Sequence, residues 1–119
     1  VPRRIRRVTD YLRHNLAEDL AIAELAMQAG LSSFHFARVF RRETGETPHR
    51  FVTRVRLEEA ARLLRMTDQT VLQIAPGVGF ESASHFSMQF MRGYGVTPPA
   101  YRLRTQALQL AALPRRRGW

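Results

Sequence analysis

The feature that most constrains the fold of this chain is an internal repeat. Leu25-Ala26 followed by Gly30 returns as Ile74-Ala75 followed by Gly79, an offset of 49 residues. One residue is then inserted, at Glu81. From there Ser32, His35, Phe36, Phe40, Arg42, Gly45, Thr47 and Pro48 recur at an offset of 50 as Ser82, His85, Phe86, Phe90, Arg92, Gly95, Thr97 and Pro98. Phe51 meets Tyr101 in the same register. A copied segment of this length is one supersecondary unit used twice. The residue pattern says which unit. Leu20 to Ala29 reads as a short helix stopped by Gly30, and Ser32 caps a helix that buries Phe36, Val39 and Phe40 and ends at Gly45. Two short helices with a glycine in the turn between them form a helix-turn-helix, here duplicated.

What joins the copies is equally informative. Thr47 and Pro48 open a helix that runs unbroken to about Arg65, a rod of ~27 Å. Turned by ~100° per residue, it shows two apolar faces instead of one: Phe51, Val52 and Val55 on one side, Leu57, Ala60, Ala61 and Leu64 roughly opposite. Two faces on one rod imply two cores, one at each end. Ahead of the first copy, Ile5, Val8, Leu12 and Leu16 mark an amphipathic helix over residues 5–16. The expected fold is therefore all-α with about seven helices. Its parts are a first helix-turn-helix subdomain with an N-terminal helix (1–46), a linker helix (47–65), a second subdomain (66–104) and a C-terminal extension (105–119) ending in a flexible basic "PRRRGW".

Charge narrows the partner. The formal net charge is +9, and all 19 basic residues are arginine. That favours a large acidic partner, and the guanidinium fork suits phosphates and guanine edges. With no cysteine, disulfides, zinc–thiolate sites and cysteine nucleophiles are excluded. No apolar run reaches the ~18–20 residues that span a bilayer, and the basic start lacks the apolar stretch of a signal peptide, so a soluble cytoplasmic protein is expected. The first residue is Val1, which points to a longer protein whose upstream part lies outside this chain.

In a helix-turn-helix the first helix braces against the DNA backbone while the second lies in the major groove. Successive major-groove segments on one face of a duplex are ~34 Å apart, within reach of two reading helices carried on a ~27 Å rod and its flanking units. The segments "LAMQAGLSSFHFARVFRRETGETPHRFV", "RLEEAARLL" and "IAPGVGFESASHFSMQFMRGYGVTPPAYR" resemble the DNA-binding domain of the AraC/XylS family of bacterial transcription regulators over about residues 5–102. That resemblance implies two helix-turn-helix units on a long helix and promoter binding, usually as an activator working with RNA polymerase. It also implies a separate effector or dimerisation domain outside this chain.

On the first reading helix, the face opposite its core residues carries Phe34, Ala37, Arg38 and Arg41, with Ser33 at its edge. Phe34 suits a thymine methyl and Arg38 the edge of guanine, while Arg41 and Arg42 suit phosphates. The family's base-contacting positions fall on Phe34, Ala37 and Arg38. The equivalent second face is Ser84, Ser87, Met88 and Met91, with Ala83 at the edge, and it has no charge. Met88 and Met91 stand where the family often has basic residues. From Met66 to Gly95 only Arg92, a further phosphate candidate, opposes Asp68 and Glu81. The first unit is thus expected to dominate, and the second to read through methyl contacts and shape. Pro76 falls inside the second bracing helix, where a missing N–H predicts a kink or early end and a less rigid unit. Arg54 and Arg56 are expected to pair with Glu58 or Glu59 rather than with phosphate.

Other functions fare worse on the same residues. His35 and His85 are repeat-equivalent, which fits helix starts or packing, and no second ligand stands at helical spacing from either. Neither catalysis, a metal nor a cofactor is expected. The alternative is a basic helical interaction or membrane-surface module without sequence-specific DNA binding, which the duplicated turns and two-faced linker disfavour. Single-strand RNA modules stack bases on the aromatics of a sheet, and no strand is expected here.

Overall fold

The computed structural model describes residues 3–114, which form seven helices and, among those residues, no strand. They are α1 (Arg3–Arg13), α2 (Ile22–Ala29), α3 (Ser33–Thr44), α4 (Pro48–Met66), α5 (Val71–Gly77), α6 (Ala83–Tyr94) and α7 (Pro98–Ala111). The "PRRRGW" arginines lie outside the described residues. Three boundaries differ from the sequence expectation. Helix α2 starts at Ile22 instead of Leu20. Helix α1 stops at Arg13, and Leu16 reaches the core from the segment that follows. Helix α7 continues to Ala111, so residues 105–111 prolong the last helix of the second unit.

Local chemistry sets the helix starts. Ser32 and Ser82 accept from the backbone N–H of His35 and His85, and Thr47 and Thr97 accept from Arg50 and Ala100, each with a proline in the first turn that follows. The α1 stripe of Ile5, Val8 and Leu12 packs fully buried against Leu25, Ala26, Phe36, Phe40, Phe51, Val52 and Val55. A second core gathers Leu57, Ala60, Ala61 and Leu64 with Ile74, Ala75, Val78, Phe80, Phe86 and Phe90. The two faces of α4 thus serve separate cores, as its sequence pattern requires, and α4 belongs to both.

The repeat extends to ring geometry. Phe40 meets Phe51 edge-on at 5.2 Å between centroids, and Phe90 meets Tyr101 edge-on at 5.3 Å. Arranging the rings this way adds favourable quadrupole contact to the area buried. The second core adds Tyr94, stacked on Phe90 at 4.4 Å; burial is the main influence raising the Tyr94 phenol above its ordinary value.

The turns superimpose in their hydrogen bonds. Leu31 N–H reaches Ala26 and Gly30 N–H reaches Met27, just as Phe80 N–H reaches Ala75 and Gly79 N–H reaches Pro76. Pro76 does shorten its helix: α5 ends at Gly77, one repeat position earlier than α2. The turn survives because the missing N–H would have served the carbonyl of Leu72, on an exposed face, rather than any bond of the turn.

Candidate nucleic-acid interface

Helix α3 turns Phe36 and Phe40 inward at complete burial and leaves Phe34 74% exposed. No core residue shields that ring. The Arg38 guanidinium carbon lies 5.8 Å from its centroid, a cation–π contact that holds both side chains on one outer face. Ser33 is exposed beside them and Ala37 is half-buried, close enough to the axis to let a partner's surface approach. Arg41 and Arg42 project from the last turn. Arg42 reaches Glu43 at 3.4 Å, but the pair is open to solvent and worth about 0–1 kcal/mol at most, so it is easily exchanged for a phosphate.

The corresponding face of α6 is different material on the same frame. Ser84 is exposed, Met88 is 52% and Met91 45% exposed, and Ser87 is half-buried. Ala83 departs from the expectation: its methyl packs against the second core, so it offers less outward surface than Ser33 does. Arg92 is exposed and unpaired among the described residues. His85, the repeat partner of His35, sits edge-on to Phe80 at 5.7 Å, and both histidines stand exposed in the first turn of their helices.

Most other arginines on α4 and α7 are already occupied. Arg54 pairs with Glu46 at 3.0 Å and Glu58 at 2.7 Å, and its guanidinium lies 4.9 Å from the Phe51 centroid. Arg62 pairs with Glu59, and Arg65 donates to the Tyr101 hydroxyl. The expected carboxylate partner for Arg56 is not what the fold provides. Its Nε donates to the carbonyl of Leu16 at 3.2 Å and its Nη2 to that of Glu18 at 2.9 Å. Burial pulls this guanidinium below its ordinary value, opposed by the charge of Asp19. Arg102 likewise donates to the carbonyls of Leu64, Thr67 and Gln69. The residue pattern held one clue to Arg56: it lies on α4 between Val55 and Leu57, the last residue of one apolar face and the first of the other.

At the N-terminus, Arg3, Arg4 and Arg7 line a surface concavity of ≈ 650 Å³ with Met27, Gln28, Ala29 and Gly30, which puts positive charge beside the first turn. Among the described residues no group of three His, Cys, Asp or Glu is placed to hold a metal ion, and no helix is long and apolar enough to cross a membrane.

Two helix-turn-helix units sharing one continuous helix, each with its second helix exposed, define a double-stranded-DNA-binding domain of a transcription regulator. A helix-turn-helix domain family model matches residues 25–104. The chain belongs to the AraC/XylS family. An HTH-type transcriptional regulator of Mycobacterium tuberculosis is 46% identical over 81 residues, 68% of this chain and 31% of that protein. The DNA-binding domain of AdpA, a global transcriptional factor solved in complex with a target DNA, superimposes with a TM-score of 0.85 at 31% identity, covering 89% of this chain and 96% of that one. An AraC-type regulator from Chromobacterium violaceum gives a TM-score of 0.81 at 26% identity over 86% of this chain and 91% of that one. This chain spans about a third of the length of the first curated relatives it matches.

Proposed function

We propose that the chain reads duplex DNA by laying α3 and α6 in successive major grooves, with α3 supplying most of the base discrimination. The observation that carries this is the outer face of α3, where an exposed Phe34 and an Arg38 lie together on a rigid, capped helix. A ring and a fork side by side match a thymine methyl beside a guanine edge. Ser33 and Ala37 complete that face, and Arg41 and Arg42 hold the flanking phosphates. On α6, Ser84, Ser87 and Met88 contact bases through hydroxyl and thioether surface, Ala83 only marginally, and Arg92 holds a phosphate. Readout in that half rests mainly on groove shape. The units act as separate subdomains on α4, in the cytoplasm and at a promoter. An effector or dimerisation domain belongs to the intact regulator. Family membership favours activation through RNA polymerase.

The test is selection from a random duplex pool at fixed salt, followed by footprinting. Two protected segments one helical turn apart are expected, with the sharper base preference under α3. Log affinity should fall linearly with log salt, at about 0.9 per phosphate neutralised. A flat salt response, or equally tight binding to anionic vesicles at the same salt, would overturn the reading in favour of a basic surface module.

A further inference from the structure

Gly30 and Gly79 hold the same place in the two turns, and both take positive φ, 70° and 96°. Their surroundings are not the same. A methyl group built on Gly30 meets no atom within 4 Å, whereas one on Gly79 would overlap the carbonyl oxygen of Leu16 and lie 2.5 Å from Nε of Arg56. Leu16 belongs to the segment leaving α1, in the first unit; Gly79 belongs to the turn of the second. Arg56 stands on α4 at the changeover between cores. Its fork fastens Leu16 and Glu18 to α4 at the spot where the second unit's turn rests. Arg102 makes the within-unit version of this bond: its acceptors are Leu64, in the last turn of α4, and Thr67 and Gln69, on the segment between α4 and α5.

We propose that Arg56, seated between Leu16 and Gly79, is a positioning residue that fixes the angle between the two units and so sets the half-site spacing the domain accepts. The spacing role rests on the two-groove reading above. Both units are packed on α4, and because a long helix curves, a change of curvature along it changes the angle between what its two ends carry. A second attachment off its axis removes that freedom. Only a glycine lets the turn come close enough for the attachment to form, and only a planar fork reaches two carbonyls while filling the seam; a lysine ammonium is a single point on a flexible stem. A rigid pair of readers gains from the second contact at one separation alone, whereas a loose pair accepts several.

The experiment compares wild type, Arg56→Gln, Arg56→Lys and Gly79→Ala, with Gly30→Ala as the control for positive-φ strain without a clash. In weakly aligned samples of the free full chain, amide dipolar couplings from residues 3–46 and 71–104 should fit one alignment tensor for wild type and Gly30→Ala. They should need two for Arg56→Gln and Gly79→Ala. On duplexes enriched by the wild type, one base pair inserted between the half-sites should cost wild type on the order of tenfold in affinity and Arg56→Gln less than about threefold. Affinity for the first half-site alone should be unchanged. Should Arg56→Gln fail to fold, Arg56→Lys and Gly79→Ala carry the same comparison. A single tensor and an unaltered spacing dependence in the folded variants overturn the proposal while leaving DNA reading intact. Failure of the wild type to enrich any duplex overturns the two-groove reading, and the spacing role with it, whatever the couplings show.

Discussion

The two copies of the unit agree on the inside and disagree on the outside. Inward, Phe36 and Phe40 correspond to Phe86 and Phe90, all four fully buried, and Phe51 is matched by Tyr101 against the second ring. Outward, Phe34, Arg38 and Arg41 are answered by Ser84, Met88 and Met91. Packing tolerates little change of shape at the inward positions, because interiors are dense and their rings interlock. The outward positions answer only to a partner. Two surfaces that differ so much on one frame imply different tasks: one carries charge and a ring, the other a soft, uncharged face.

The largest effect should come from breaking the inner likeness. Phe40→Ala and Phe90→Ala each remove a buried ring with two or more aromatic neighbours, and each should cost about 3–5 kcal/mol in urea unfolding. Because α4 contributes to both cores, either variant should unfold the chain in a single transition. Two separated transitions in one of them would mean that the cores are independent and α4 merely connects them.

Next in size is the outer contrast. Arg38→Ala should relax base preference in one half-site by about 1–3 kcal/mol, measured by competition between duplexes differing at one base pair. Met88→Ala should change affinity far less. Equal losses at the two positions would show that the second reader discriminates as sharply as the first, and the asymmetry would be wrong. Met88→Arg sharpens the same point: it should add close to one phosphate's worth to the salt slope, about 0.9, if the α6 face approaches the duplex backbone.

How much of this was legible in the residues follows from range. The seven helices, the two faces of α4 and the exposure of Phe34 were readable because periodicity and capping residues act within a few positions of themselves. The carbonyl bonds of Arg56 and Arg102 were not, because their acceptors lie 33–40 residues away and are backbone oxygens, which every residue has. Gly79 looked like a simple copy of Gly30, since the repeat reports the shared φ and nothing of what presses on the turn from the other unit. The partial burial of Ala83 has a related origin. The one-residue insertion at Glu81 preserves the helix register, but the repeat does not report that the Ala83 methyl packs against the second core.

The smallest effects concern the bracing helices, where the copies solve one problem differently. Helix α5 contains Pro76 and has seven residues, yet it starts with a reciprocal capping box: Thr70 Oγ1 accepts from Gln73 N–H, and Gln73 Oε1 accepts from Thr70 N–H at 2.9 Å. Helix α2 has no proline, and its N-cap, Ala21, makes no side-chain bond. The box offsets part of what Pro76 removes, so Thr70→Ala should destabilise the chain by about 1 kcal/mol. Amide exchange in residues 71–78 should also quicken relative to residues 22–29. Ala21→Ser tests the converse. It places a serine three residues ahead of Glu24, the spacing of a capping box, and should stabilise α2 by about 0.5–1 kcal/mol. Glu24 already accepts from the Tyr11 hydroxyl at 3.3 Å, a long bond that can share the carboxylate, so the gain should persist in a Tyr11→Phe background. If Ala21→Ser stabilises only when Tyr11 is absent, Glu24 is committed to tying α2 to α1, and the first unit holds its bracing helix by a tertiary bond where the second uses a local one.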